Sequence, residues 1–366
     1  MQAQDHSSFE VRRDRLRPRL DAAGVDAFLT FHGPNRQYLT GFRGSFGFLV
    51  VTRAGPDHLV VDWRYEREAA TLGDGTRKVA LPKGRDVWTF LTERFAELGV
   101  RSIAVEGEHV SQAWFERAGG GAVAVSATHG WVEVLRVVKD AAEQAALRRA
   151  QRATDEAFSA ALEHVRPGAT EREVAVALRH AVERAGCENP AAMPIVASGV
   201  RGALPHGRAS EKRIERGDLV LFDFGAIAEG YHADMSRTVA CGRASREQRE
   251  LYEVVHASFE SGVAALEQGA RADAAAYACR AVLREAGYGP DEAHGFSAGH
   301  GIGLDLHEDP FLDEGNEAAL ANGMVVTVEP GIYLPDRLGI RIEDSVLLTA
   351  SGLERLPSTT TELLEV

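Results

Sequence analysis

The chain has 366 residues, 45% hydrophobic and 26% charged, with 41 basic against 54 acidic side chains and a formal net charge of −13. That length exceeds the usual single domain and leaves room for two cores, while the acidic balance excludes a general nucleic-acid binder, which needs clustered Lys and Arg. No apolar run approaches the ~18 residues of a bilayer-spanning helix, and the opening segment MQAQDHSSFEVRRDRLRPRL lacks the apolar core of a secretory signal, so a soluble, cytoplasmic protein without membrane partners is expected. Cys187, Cys241 and Cys279 are too scattered for a disulfide framework or a zinc ribbon and read as small core residues.

Residues 1–135 read as a small α/β domain. Short apolar segments at 27–31 (AFLTF), 48–52 (FLVVT), 58–62 (HLVVD) and 102–107 (SIAVEG) predict strands, and the pattern over 86–98 predicts a helix. Between the first two strands, NRQYLTGFRGSFG (35–47) carries aromatic and Arg side chains. They either reach an active site, of this chain or of a neighbouring subunit, or form a structural loop with a core Tyr and Phe. From about residue 139 the composition turns to Ala, Glu and Arg with helical spacing, which predicts one long helix. The boundary falls near 133–141, and 136–366 form the second domain.

The second domain contains an internal repeat. RPGATEREVAVALRHAVERAG (166–186) and EQGARADAAAYACRAVLREAG (267–287) superpose at an offset of 101, pairing Gly168 with Gly269, Arg179 with Arg280 and Gly186 with Gly287, and Phe158 pairs with Phe259 upstream. Each copy reads as helix, turn, helix, with Gly closing the second helix. After the first comes DLVLFDFGAIAEGYHADMSRTVA (218–240), and after the second GMVVTVEPGIYLPDRLGIRIEDSVLL (323–348). Each is an apolar strand with one carboxylate beside a glycine-containing turn, followed by a strand carrying another. Asp223 thereby corresponds to Glu329, and Asp234 to Glu343. Two αα-ββ halves would present two carboxylates each to a shared centre.

Carboxylates in buried strands cost several kcal/mol unless they are paired or coordinate metal. With His300 added, the inventory is Asp223, Asp234, His300, Glu329 and Glu343: a set for two divalent ions bridged by shared carboxylates and activating a bridging hydroxide. Oxygen-rich ligation favours Mn²⁺, Co²⁺ or Fe²⁺ over a thiolate-type structural zinc, with Mn²⁺ or Co²⁺ foremost and Zn²⁺ also accepted by such ligands. Strand alternation puts Arg341 beside Glu343, opposite Ile340 and Ile342. The glycines of GHGIGLDLHE (299–308) fall short of a GxGxxG nucleotide fingerprint and lack its strand–turn–helix context.

DFGAIAEGYHADMSRT, GHGIGLDLHEDP, VVTVEPGIY and GIRIEDS, in this order, resemble the pita-bread metallopeptidases (M24): proline dipeptidases, aminopeptidase P, methionine aminopeptidases and creatinases. PNRQYLTGFRGSFGFLVVT resembles the creatinase-like N-terminal domain of the proline-peptidase branch. The resemblance implies an α+β protein whose C-terminal pita-bread fold follows a smaller α/β domain. It implies Asp223 on one metal, His300 and Glu329 on the other, and Asp234 and Glu343 bridging both, with Glu329 also the proton shuttle. His206 (ALPHGRAS) and His307 match the histidines flanking the scissile peptide, and Arg341 an arginine that binds the substrate carboxylate or fixes its neighbouring ligand. Asp305 and Glu308 read as structural.

The implied activity is hydrolysis of Xaa-Pro bonds in dipeptides or short peptides, by a homodimer. One departure bears on substrate choice. Proline peptidases commonly carry a histidine four residues before the metal-binding one, where this chain has Phe296; His294 lies two residues further upstream. A relaxed proline requirement, trimming from the carboxyl end, creatinase activity and a catalytically silent binding scaffold are the alternatives.

Overall fold

The computed structural model describes residues 7–119, 121, 123–190, 193–289 and 298–366. Phe296 and His294 lie outside the described residues. The chain divides into two compact units, Met1–Arg136 and Val137–Val366.

The first unit is built on a six-stranded mixed sheet. Its strands are β1 (Ala27–Thr30), β2 (Phe48–Thr52), β3 (His58–Asp62), β4 (Arg77–Leu81), β5 (Ser102–Glu106) and β6 (Ala124–Thr128), in the order β4-β3-β2-β1-β5-β6. The helices are α1 (Ser7–Asp14), α2 (Arg17–Ala23), α3 (Gly33–Thr40), α4 (Glu66–Ala70), α5 (Val87–Glu97), α6 (Gln112–Gly119) and α7 (Glu133–Arg136). Central strands are buried along their length, so they read as continuous apolar runs. The edge strands β4 and β6 are largely open to solvent, and their mixed sequences RKVAL and AVSAT gave no period for sequence reading to find. Asp86 starts α5 by accepting from the Thr89 amide, and Trp88, Leu91 and Phe95 bury the apolar face of that helix. Within the segment 35–47, Asn35, Arg36, Tyr38 and Phe42 are all buried. Arg36 donates to the carbonyl of Gly47 at 2.9 Å, so these four side chains pack within their own unit.

The second unit opens with α8 (Ala141–Leu162), started by a reciprocal box in which Asp140 accepts from Glu143 N and Glu143 accepts from Asp140 N. Then follow α9 (Glu171–Arg184), β7 (Ile195–Ser198), β8 (Leu219–Phe224), β9 (Ile227–Ala228), β10 (Tyr231–His232) and β11 (Met235–Ala240). The second half repeats the plan with α10 (Arg246–Ala264), α11 (Asp273–Glu285), β12 (Val325–Val328), β13 (Gly331–Leu334), β14 (Leu338–Arg341), β15 (Asp344–Thr349) and β16 (Gly352–Arg355). The sheets are β11-β8-β7, β12-β15-β16 and the ribbons β9-β10 and β13-β14, all antiparallel.

The two halves match in backbone detail. Gly168 and Gly269 both have positive φ, 93° and 83°, and each amide donates to a carbonyl of a returning segment, Ile214 in one case and Leu320 in the other. Gly186 and Gly287 close α9 and α11 with φ of 78° and 88°, a left-handed conformation that favours glycine. Each helix pair lies on its own sheet. One core contains Phe158, Val174, Leu178, Val220 and Phe222, and the other Phe259, Cys279, Leu283, Val326 and Val328. A backbone hydrogen bond joins the halves beside the carboxylates: Glu343 N donates to Ser236 O at 3.0 Å.

Candidate metal and catalytic centre

The junction of the halves places the carboxylates. Asp223 near the end of β8 pairs with Ser236 of β11, and Ser236 bridges to Glu343, so first-half and second-half carboxylates meet across one serine. Asp234 sits in the link between β10 and β11, and Glu329 follows β12 directly. Gly225 allows the first hairpin to close, because a Cβ there would fall on the Ala233 carbonyl.

His300 arrives from a different segment. Its backbone amide donates to Thr327 Oγ1 at 3.1 Å and its carbonyl accepts from Thr327 N at 2.7 Å, which locks GHG onto β12. A side chain at Gly299 would collide with the Thr327 carbonyl, and one at Gly301 with the Asp309 carbonyl. The glycines thus permit close backbone approach to β12 and to the 308–309 segment. The ring itself is oriented by Nδ1 against Gly301 O at 3.0 Å, which directs Nε2 toward Glu329 Oε1 at 3.4 Å and Asp234 Oδ2 at 3.7 Å.

Potential ligand atoms of Asp234, His300 and Glu343 lie within 4.8 Å of one another, and all three residues are buried. Glu329 joins this triad through its approach to His300. Asp223 stands beside it, held by an ion pair to Arg341 Nη2. Arg341 is itself fixed on every side: Nε donates to Ser236 Oγ at 2.9 Å, and Nη1 to Tyr333 Oη at 2.8 Å and Pro205 O at 3.2 Å. The Ser236 hydroxyl passes this on by donating to Glu343 Oε2 at 2.7 Å.

Burial and mutual repulsion dominate the electrostatics. Burial, then the charges of Glu343, Asp223 and Glu329, push the Asp234 carboxyl well above its ordinary range. Burial, with Glu329 and Asp223, takes Glu343 up to about 8. Burial takes Glu329 up to about 7. Four carboxylates face one guanidinium, and Glu343 Oε1 is buried with no hydrogen-bond partner among the described residues. A buried acceptor left that way costs about 1–3 kcal/mol. These residues fit a divalent-cation centre: cations would satisfy the orphan oxygen and the excess negative charge together.

Around the rim, His307 stacks edge-on against His300 with centroids 4.4 Å apart, and partial burial followed by the neighbouring His300 lowers its pKa, so it is neutral near pH 7. His206 is exposed in the turn after a short 3-10 segment, Gly199–Ala203, and its charge acts on His307. Glu308 pairs with the buried Lys139 at 2.6 Å, a structural tie for the 299–308 loop. Sequence reading missed Ser236, Tyr333 and His232. Ser236 lies two residues beyond Asp234, but its place beside Glu343 follows only once strand register is known. His232, whose charge also acts on His307, carries no spacing signature.

Residues 145–350 match the metallopeptidase family M24, and residues 12–138 match the creatinase/prolidase N-terminal domain. The chain belongs to the metallopeptidase family M24. It is therefore a metal-dependent peptidase of the pita-bread fold preceded by a creatinase-like domain. A relative in this family, a Xaa-Pro dipeptidase of Pyrococcus horikoshii, is 34% identical over 94% of this chain and 96% of its own. Among solved structures, a Xaa-Pro dipeptidase from Bacillus anthracis superposes with a TM-score of 0.93 at 34% identity, covering 98% of this chain and 100% of that one. An X-Pro aminopeptidase from Thermotoga maritima gives 0.88 at 35% identity, covering 95% and 100%. Among the described residues no helix is long and apolar enough to cross a membrane.

Proposed function

We propose that this protein hydrolyses Xaa-Pro bonds in dipeptides or short peptides with two divalent ions held by Asp223, Asp234, His300, Glu329 and Glu343, Mn²⁺ or Co²⁺ foremost. The observation that carries the reading is the convergence, among the described residues, of four carboxylates and one oriented imidazole beside the Arg341 guanidinium. Relatives named for Xaa-Pro cleavage, alike over nearly the whole chain, support the substrate class.

When bound, such ions supply a Lewis acid and an activated water. The chain's own groups do the rest. Glu329 takes a proton at its carboxylate and returns it to the leaving amine. His307, neutral and at the rim, donates a hydrogen bond to the carbonyl oxygen as negative charge develops, and His206 positions the peptide. Arg341, locked by Ser236, Tyr333 and Asp223, positions Asp223 and Glu343. Its three-sided engagement makes it a holder of ligands more than a receiver of the substrate carboxylate.

The three cysteines are free, which suits the reducing cytoplasm, and the family resemblance supports a homodimer. A panel of Xaa-Pro dipeptides, Xaa-Pro-Yaa tripeptides and proline-free peptides, with product ends identified, tests the substrate assignment. Cleavage confined to Xaa-Pro bonds is expected. Preferential release of carboxyl-terminal residues from proline-free peptides would replace this reading.

A further inference from the structure

We propose that His32, His109 and Glu133 in the first unit form a separate metal site that takes one divalent ion of the zinc class. Three segments distant in sequence bring these side chains together. His32 is the residue that precedes α3, with extended backbone at φ −60° and ψ 123°; His109 lies in the turn after β5; Glu133 opens α7.

His109 Nε2 is 3.0 Å from Glu133 Oε1, and the rings of His32 and His109 stack with centroids 3.5 Å apart and planes 3° apart. One potential ligand atom from each of the three lies within 4.8 Å of the others. Ligands about 2.0–2.1 Å from a tetrahedral zinc stand roughly 3.4 Å apart, and an imidazole nitrogen binds in its ring plane, so closure on an ion takes both a small approach of the ligand atoms and a tilt of the stacked rings away from parallel. His109 and Glu133 are each 26% exposed, which leaves the ion a path in and room for water to complete its shell.

The oxygen that faces His109 is also held by a largely buried framework. Asn35 Nδ2 donates to Glu133 Oε1 at 2.5 Å and to Glu106 Oε1 at 2.7 Å, while Arg136 Nη1 donates to Asn35 Oδ1 at 2.7 Å. Metal-ligating carboxylates are oriented by outer hydrogen bonds of this kind. A simple ion pair would need one imidazole; a second imidazole within reach makes two histidines and one carboxylate, the donor set of an open zinc site. Imidazole-rich ligation also separates this site from the oxygen-rich centre of the second unit, so the two would select different ions.

Equilibrium dialysis against Zn²⁺ counts ions in the full chain and in its His32→Gln and His109→Gln variants. Each folded variant is expected to bind one ion fewer than the wild type. Equal stoichiometry in folded variants would overturn the proposal. A second measurement covers variants that fail to fold. One equivalent of Cu²⁺ is added to an Asp234→Asn/Glu343→Gln/His307→Ala chain, and pulsed electron paramagnetic resonance counts the coordinated imidazoles. Two coupled imidazoles support the site, since the carboxylate centre offers one histidine ligand; one or none contradicts it.

Discussion

Arg341, carried by β14 of the second half, is ion-paired with Asp223, carried by β8 of the first. Its guanidinium is 2% exposed and is the cation set against four carboxylates. Arg341→Met should therefore destabilise the chelated protein by about 3–5 kcal/mol, the usual result of removing one partner of a buried pair. Arg341→Lys keeps the charge but cannot reach Ser236, Tyr333 and Asp223 together, so it should recover only part of that loss. Urea unfolding of the chelated proteins measures both.

Ser236 is the second link in the same chain of contacts. Ser236→Ala deletes the hydrogen bond to Glu343 Oε2 and leaves both oxygens of that carboxylate unsupported. Metal affinity should fall 10–100-fold, as for other outer partners of ligating groups, with little change in KM once metal is saturating. Metal titration followed by activity separates the two effects.

His307 and His206 should behave differently from the proposed ligands. His307→Ala should lower kcat by about 10²–10³, the effect of losing one hydrogen-bond donor to a developing oxyanion, while bound metal per chain stays unchanged. His206→Ala should act more on KM, because that side chain is exposed in a turn. Steady-state kinetics with metal analysis on the same samples checks the split.

Chelation should reshape the pH dependence of stability. Glu343 and Glu329 have ordinary values of 4.5, raised in the fold to about 8 and about 7. Between those limits the folded chain holds protons that the unfolded chain has released. The contribution to stability is thus full below about pH 4.5 and is lost as pH rises through about 8. Ions that replace those protons remove the dependence. Thermal midpoints of the chelated protein should fall by several degrees from pH 5 to pH 8, while those of the metal-loaded protein hold; parallel profiles would contradict this.

What could be read from sequence depended on periodicity and on chemical cost. Asp223 and Glu329 stood out because carboxylates inside LVLFDF and MVVTVE conflict with burial, and the structure brings them to the same place. The repeat was legible because Gly168, Gly186, Gly269 and Gly287 occupy left-handed positions that constrain residue type. Ser236 and Tyr333 were not, because a hydroxyl in an apolar strand gives no spacing signal before register is known. Neither were β4 and β6, edge strands with half their residues in water. The His32, His109 and Glu133 grouping was equally hidden, since three separate segments supply one residue each.

The most direct test of the central claim is hydrolysis of a Xaa-Pro dipeptide by the purified chain, before chelation, after chelation, and after return of Mn²⁺ or Co²⁺. The account predicts activity that chelation abolishes and either ion restores, with Asp234→Asn inactive throughout. Activity that survives complete removal of metal, or a folded, metal-saturated chain that cleaves no peptide, would contradict it.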